Sequence, residues 1–204
     1  MTVEIFDGVE QNTDDWLQLR AGIQTASMLN AVTAKKGPRG GIPKGRQTYM
    51  YKLAGEIITG EPMDSYSNAN MERGHEREAE ARDLYGFLKD VEPQQIGFIR
   101  NGNCGASPDA LVDADGLFEN KDAMAHIQIE RLLAGSLPPE HKAQCQGQLM
   151  VSERTWLDFM SYCRGLPPLI VRVERDEPYI AGLRIDVNDF EDELNQLVDK
   201  IRGM

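Results

Sequence analysis

Cysteine, tryptophan and histidine are scarce in this chain of 204 residues, with three Cys, two Trp and three His. The cysteines, Cys104, Cys145 and Cys163, are odd in number and widely separated. That pattern argues against a disulfide framework, a zinc knuckle or an iron–sulfur cluster, and for a reducing, cytoplasmic setting. No apolar run approaches the roughly 20 residues of a membrane helix. The opening Met1-Thr2-Val3-Glu4 is unlike a secretion signal, so no membrane association is expected. Positive charge is also short: 22 Lys and Arg face 33 Asp and Glu, a net charge of −11. Affinity for nucleic-acid phosphate comes largely from Lys and Arg, so a wholly basic binding surface is excluded. The cations are nonetheless bunched at Lys35-Lys36-Gly37-Pro38-Arg39 and Lys44-Gly45-Arg46, whereas the C-terminal stretch is acidic. A basic cleft inside an acidic exterior is therefore allowed.

What is present is ordinary for a globular protein: 41% hydrophobic and 27% charged residues, with no internal repeat or low-complexity tract. The length suits one domain over residues 1–204. Helices are predicted over 14–20, 25–32, about 46–59 and about 68–88, with one or two more within 123–151. A closing helix capped by Asp176-Glu177-Pro178 is expected to break near Asn188. Strands are predicted over 91–100, 106–112, 116–120, 155–162 and 169–174. Residues 35–46, rich in Gly and Pro, read as a mobile loop, and a second loop rich in Pro, Ser and Asn follows Thr59. The pattern is α/β or α+β, with a small mixed central sheet flanked by helices.

The chemistry is concentrated at Ser107-Pro108-Asp109 and, ten residues on, Glu119-Asn120-Lys121. Two carboxylates and an amine on consecutive strands are what a metal-dependent phosphodiesterase needs: oxygen ligands for a hard cation and a lysine beside the activated water. Side chains alternate along a strand, so Glu119 and Lys121 share a face. Asp109 joins them only if it lies opposite Glu119. A two-residue turn at Ala114-Asp115 pairs it with Asn120 instead, whereas a three-residue turn with a bulge near Gly116 restores the register. In the helix before this hairpin, Gly74, Glu78, Ala81, Tyr85 and Leu88 form one stripe, and Glu78 is its single acid. An inward carboxylate needs a partner, either a base such as Arg82 or a metal. Gln144 and Gln148 lie one turn apart on a later helix, with Gln146 on another side.

These residues resemble the phage lambda exonuclease family of alkaline exonucleases, the YqaJ-like viral recombinases, within the restriction-endonuclease-like PD-(D/E)xK superfamily. The resemblance runs from Trp16 to about Tyr179. It is carried by Trp16-x-x-x-Arg20-x-Gly22-Ile23 with Thr25-Ala26-Ser27, and by Gly74-x-x-x-Glu78-x-x-Ala81-Arg82 with Tyr85. Ser107-Pro108-Asp109, Glu119-x-Lys121, Ala143-Gln144-x-Gln146 and Glu174-Arg175-Asp176-Glu177-x-Tyr179 complete it.

The resemblance implies a restriction-endonuclease-like core and a processive 5′→3′ exonuclease. Such an enzyme uses Mg2+, with Mn2+ substituting and two ions per site, and leaves a 3′ single-stranded overhang on double-stranded DNA ends. It further implies a phage or prophage protein, a ring-shaped homotrimer and a single-strand-annealing recombination partner. On that resemblance Asp109, Glu119, the main-chain carbonyl of Asn120 and Glu78 are the metal ligands. Lys121 orients or deprotonates the attacking water, and Gln144 lies near that nucleophile. Arg20, Thr25 and Ser27 form a pocket for a 5′-terminal phosphate; free N–H groups at a helix start and a bidentate arginine give this independent sense. Asn120 departs from the apolar residue often found there. The alternatives are an inactive DNA-end-binding module with the same fold, an endonuclease of the superfamily, and a carboxylate-pair hydrolase of sugars, for which Phe118 is the one aromatic between Pro108 and Lys121.

Overall fold

The computed structural model describes residues 2–35, 41–63 and 69–204, and among these the side chains of all but 69–76. Residues 36–40 of the expected basic loop, the end of the loop after Thr59 and the side chains at the Gly74 end of the Glu78 stripe lie outside this description, and the helix α3 begins inside that loop at Lys44.

The elements run β1 (Val3–Phe6), α1 (Asp14–Arg20), β2 (Gln24–Thr25), a 3-10 turn (Ala26–Met28), α2 (Leu29–Val32), α3 (Lys44–Thr59), α4 (Ala69–Lys89), β3 (Phe98–Asn101), β4 (Cys104–Ala106) and β5 (Ala110–Val112). They continue with β6 (Gly116–Asp122), α5 (Ala125–Ala134), a 3-10 turn (Pro139–His141), α6 (Lys142–Ser152), β7 (Trp156–Tyr162), β8 (Leu169–Glu174) and α7 (Glu177–Arg202). No helix among the described residues is long and apolar enough to cross a membrane.

The architecture is mixed α/β, as expected, but its strands divide into two four-stranded mixed sheets, ordered β1-β3-β4-β2 and β5-β6-β7-β8. The division falls inside the strand predicted over 106–112. β4 ends at Ala106 in the first sheet and β5 begins at Ala110 in the second, so Ser107-Pro108-Asp109 is the crossing segment. Pro108 offers no N–H and cannot continue a ladder, which is a physical reason for the strand to stop there. Similarly, the strand expected over 91–100 shrinks to β3, with Gln94 adding only an isolated bridge to Leu111.

Two helix expectations are corrected as well. Residues 24–25 pair in parallel with β4, so Thr25 is extended and the helix there shortens to a 3-10 turn followed by α2. α7 does not break at Asn188: its buried Ile180, Leu183, Val187, Phe190, Leu194 and Val198 keep helical spacing past that residue. Asp176 caps it as expected, accepting the N–H of Tyr179 at 3.0 Å.

The main core joins α2, α3, α6 and α7 to β3, β4, β6 and β7. α6 runs through its centre, and Gly147 lets Leu29 approach so closely that an added Cβ would lie 2.2 Å from its Cδ1. Under α4, a smaller cluster packs Ala81 and Tyr85 on Phe118. The Tyr85 hydroxyl donates to buried Asp158 (2.8 Å), which also takes two N–H groups of Arg172. At the edge of the first sheet, Gly97 donates its N–H to Phe6 O (3.1 Å) and accepts Trp16 Nε1 (2.9 Å). A Cβ on Gly97 would fall 2.1 Å from the backbone oxygen of Val9.

Candidate active site

The hairpin takes the three-residue turn. Val112 pairs with Gly116, Leu111 with Leu117 and Ala110 with Phe118, and the next step outward sets Asp109 opposite Glu119. The Asp109 N–H donates to Phe118 O at 3.0 Å, continuing the ladder. The expected bulge at Gly116 does not form. Asp113 takes the left-handed position, with φ +48°, a conformation that Asp tolerates. Gly116 serves a different need: a Cβ there would sit 2.1 Å from the Trp156 ring.

The register brings Asp109, Glu119 and Lys121 to one place. Glu119 is buried, and its Oε1 meets Lys121 Nζ at 2.6 Å and Gln144 Nε2 at 2.5 Å. Its Oε2 accepts Gln148 Nε2 at 2.6 Å. Gln148 is the residue that sequence reasoning left aside; the signal was its one-turn spacing from Gln144. Gln146 points elsewhere, bridging Glu174 O and the Asp176 N–H. Asp109 Oδ2 accepts the Asn120 N–H at 2.6 Å. From α4, Glu78 stands close enough to bear on the charge of Asp109, and it also faces Arg82 at 3.7 Å. Of the two partners considered for Glu78, the base is thus at hand in Arg82.

Burial, then Glu119 and Glu78, hold the Asp109 carboxyl well above the usual carboxylate range. Burial alone would lower Lys121, but Glu119 and Asp109 outweigh it and leave the ammonium raised. Lys121 is therefore a charged donor at neutral pH.

The donor set fits a hard divalent cation. Its candidates are all oxygens, its acids repel one another in a way that a cation would relieve, and Gln148 Oε1 is a buried acceptor with no hydrogen-bond partner. The three acids do not close into a ready cage. Among the described residues no three His, Cys, Asp or Glu stand at ion-holding spacing, and Glu119 gives both oxygens to amides and the ammonium.

A stability test follows from the raised Asp109. For a carboxyl with a raised folded pKa, stability present at low pH is lost as pH rises through that value, so the charge costs stability at neutral pH. Asp109→Asn keeps an acceptor for the Asn120 N–H and removes the charge. In chelator, its melting temperature should exceed wild type at pH 7–8, with the gap closing toward pH 4. Adding Mg2+ should raise wild type and leave the variant unmoved; equal responses would remove Asp109 from the ligand set.

Arg20, Thr25 and Ser27 also converge, on a cavity of about 280 Å³ shared with Tyr49, Lys52 and Glu56. Arg20 lies over the Trp16 ring (3.9 Å), and its Nη1 donates to Ser107 Oγ (3.3 Å). Thr25 and Ser27 hydroxyls are 3.3 Å apart. Thr25 does stand at a helix start, as the N-cap of the 3-10 turn Ala26–Met28, but its own N–H is taken by the Tyr49 hydroxyl at 3.0 Å. Glu56 ties the wall together through the N–H groups of Gly22 (2.9 Å) and Met63 (3.0 Å), and faces Lys52 at 3.7 Å. Tyr49, Lys52 and Glu56 share a face of α3 by spacing alone, but nothing local in the sequence directs that face to Arg20. Ser107 joins the two halves. Its Oγ receives Arg20 and Trp16 Nε1 (3.0 Å), two residues before Asp109.

The fold and this paired site define a nuclease. The chain is similar to two crystal structures of the alkaline exonuclease LHK-Exo from Laribacter hongkongensis, one in complex with dAMP. It is 33% identical to the dAMP complex with a TM-score of 0.84, and 32% identical to the other with a TM-score of 0.83. Each comparison covers 94% of this chain and 97% of the other. A phage-related exonuclease from Haemophilus somnus 129PT shares the fold at 15% identity and a TM-score of 0.64, over 91% of this chain and 99% of that one. No curated protein matches. Residues 15–155 match the YqaJ-like viral recombinase domain, and the chain belongs to that family.

Proposed function

We propose that this protein is a divalent-metal-dependent 5′→3′ exonuclease that digests one strand of linear double-stranded DNA from a 5′-phosphorylated end, leaving a 3′ overhang for strand-annealing recombination. The observation that carries the reading is the junction at Ser107-Pro108-Asp109, which ties a cationic, hydroxyl-lined cavity to the buried Glu119, the half-buried Asp109 and a charged lysine. LHK-Exo, at 33% identity, is an alkaline exonuclease and has been crystallised with dAMP, which supports a DNA strand as substrate.

In this reading Arg20, Thr25 and Ser27 anchor the terminal phosphate, with Arg20 held flat by Trp16. Asp109, Glu119, the Asn120 carbonyl and Glu78 would hold one or two Mg2+ or Mn2+ ions. When bound, these supply Lewis acidity and charge neutralisation at the phosphate. Lys121, protonated beside Glu119, orients the attacking water and offers a hydrogen bond to the phosphate. Gln144 and Gln148 fix both oxygens of Glu119, so its carboxylate cannot rotate away. A homotrimeric ring around the duplex would let an acidic exterior coexist with a basic channel, and an annealing protein would take up the exposed strand.

The test is digestion of linear duplexes with and without a 5′-phosphate, and of a covalently closed circle, with metal added or chelated. We expect metal-dependent loss of the linear duplex, faster with the phosphate, and a resistant circle; cutting of the circle would favour an endonuclease. Arg20→Ala should reduce the ratio of phosphorylated to unphosphorylated rates to near one. A ratio unchanged from wild type would remove Arg20 from the anchor.

A further inference from the structure

Beside Lys121 lies a polar cluster that the reading above does not use: Arg131 of α5 and His141, the residue that precedes α6. The parallel pairing of β6 with β7 sets Lys121 beside Ser161 and Glu119 beside Phe159, so these four side chains leave one face of the sheet. The His141 ring packs on Phe159, with centroids 5.0 Å apart. Arg131 Nη1 donates to Ser161 Oγ at 3.0 Å, and its Nη2 stands 3.0 Å from His141 Nε2. His141, Gln144 and Gln148 follow at helical spacing, so the histidine stands one turn before the residue that holds Glu119 Oε1.

The chemistry of this contact fixes the state of the imidazole. A guanidinium has only N–H groups to offer, so His141 must accept through Nε2 and carry its proton on Nδ1. It is therefore neutral. Burial, then Lys121 and Arg131, lower its pKa, with Glu140 and Glu119 the opposing charges. No protein group among the described residues takes the Nδ1–H. Arg131 is itself only 13% exposed, and its carboxylate neighbour Glu140 stands at 3.5 Å and is largely solvated. Two cations and an uncommitted donor on one face suit an anion.

Building on the nuclease reading, we propose that His141, held in its Nδ1–H tautomer by Arg131, donates that hydrogen to a non-bridging phosphate oxygen of the strand being cut, on the Lys121 side of the site. The competing account is a ring that merely fills space over Phe159.

Two substitutions separate them. In His141→Gln the side-chain carbonyl can still receive Arg131, but no donor remains where Nδ1 stood; His141→Asn returns an N–H near that point. On linear duplex with Mg2+, the Gln variant should lose roughly 10- to 100-fold in kcat/KM at an unchanged melting temperature, and Asn should recover part of the loss. Duplexes carrying a single methylphosphonate at successive linkages give the specific readout. One linkage should slow wild type and leave the Gln variant no further impaired. The proposal is overturned if His141→Gln digests like wild type, if both variants respond alike to every linkage, or if no methylphosphonate slows wild type. Wild type that digests nothing would instead overturn the function on which the proposal rests.

Discussion

Asp109→Ala and Lys121→Ala should each reduce digestion of a linear duplex by about 10²- to 10⁴-fold, the range expected when a group that acts on the reacting water or its phosphate is lost. The two variants should fail differently. Asp109→Ala relieves a repulsive carboxylate cluster but leaves the Asn120 N–H without its acceptor, so the two effects oppose and its melting temperature in chelator should change little. Lys121→Ala removes the cation 2.6 Å from Glu119 and leaves that buried carboxylate to the two glutamines alone. Some stability should go with it, because a buried charge that loses its partner is costly. Initial rates on 5′-phosphorylated duplex, with melting curves on the same samples, check both. A rate within tenfold of wild type would refute the role given to that residue.

The largest stability loss is expected outside the carboxylate cluster. Gly97→Ala forces a Cβ to within 2.1 Å of Val9 O, which is backbone and cannot swing aside. The strand must shift, at a cost of about 3 kcal/mol and roughly 10 °C in melting temperature. Gly97 also holds Trp16 through its carbonyl, and Trp16 supports Arg20, so the preference for a 5′-phosphate should weaken as well. Gly182→Ala is the control. Nothing lies within 4 Å of its Cβ, and in mid-helix it should gain about 0.5–1 kcal/mol. Loss of equal size at both positions would refute the steric account.

The parts of the site readable from sequence are those governed by short-range arithmetic. Turn length set the register of Asp109 against Glu119, strand alternation put Lys121 beside Glu119, and helical spacing marked Glu78 and the Gln144–Gln148 pair. The position of the left-handed residue was misread because Asp113 and Gly116 can both supply one, and the Trp156 contact that occupies Gly116 comes from a strand forty residues away. The split into two sheets was invisible for a related reason. Ala106 to Val112 reads as one strand locally, and only the partners of β4 and β5 show that it serves two. β1 and β2 are too short to show a period. The walls of the cavity drawn from α3 depend on how that helix lies against Arg20, which no neighbouring residue encodes.

The three-residue crossing from β4 to β5 has a mechanical consequence. In the proposed function it would hang the phosphate anchor on one sheet and the groups around Asp109 and Glu119 on the other, with Pro108 between them. The separation between grip and blade is then a ruler whose length depends on how the two sheets are mounted.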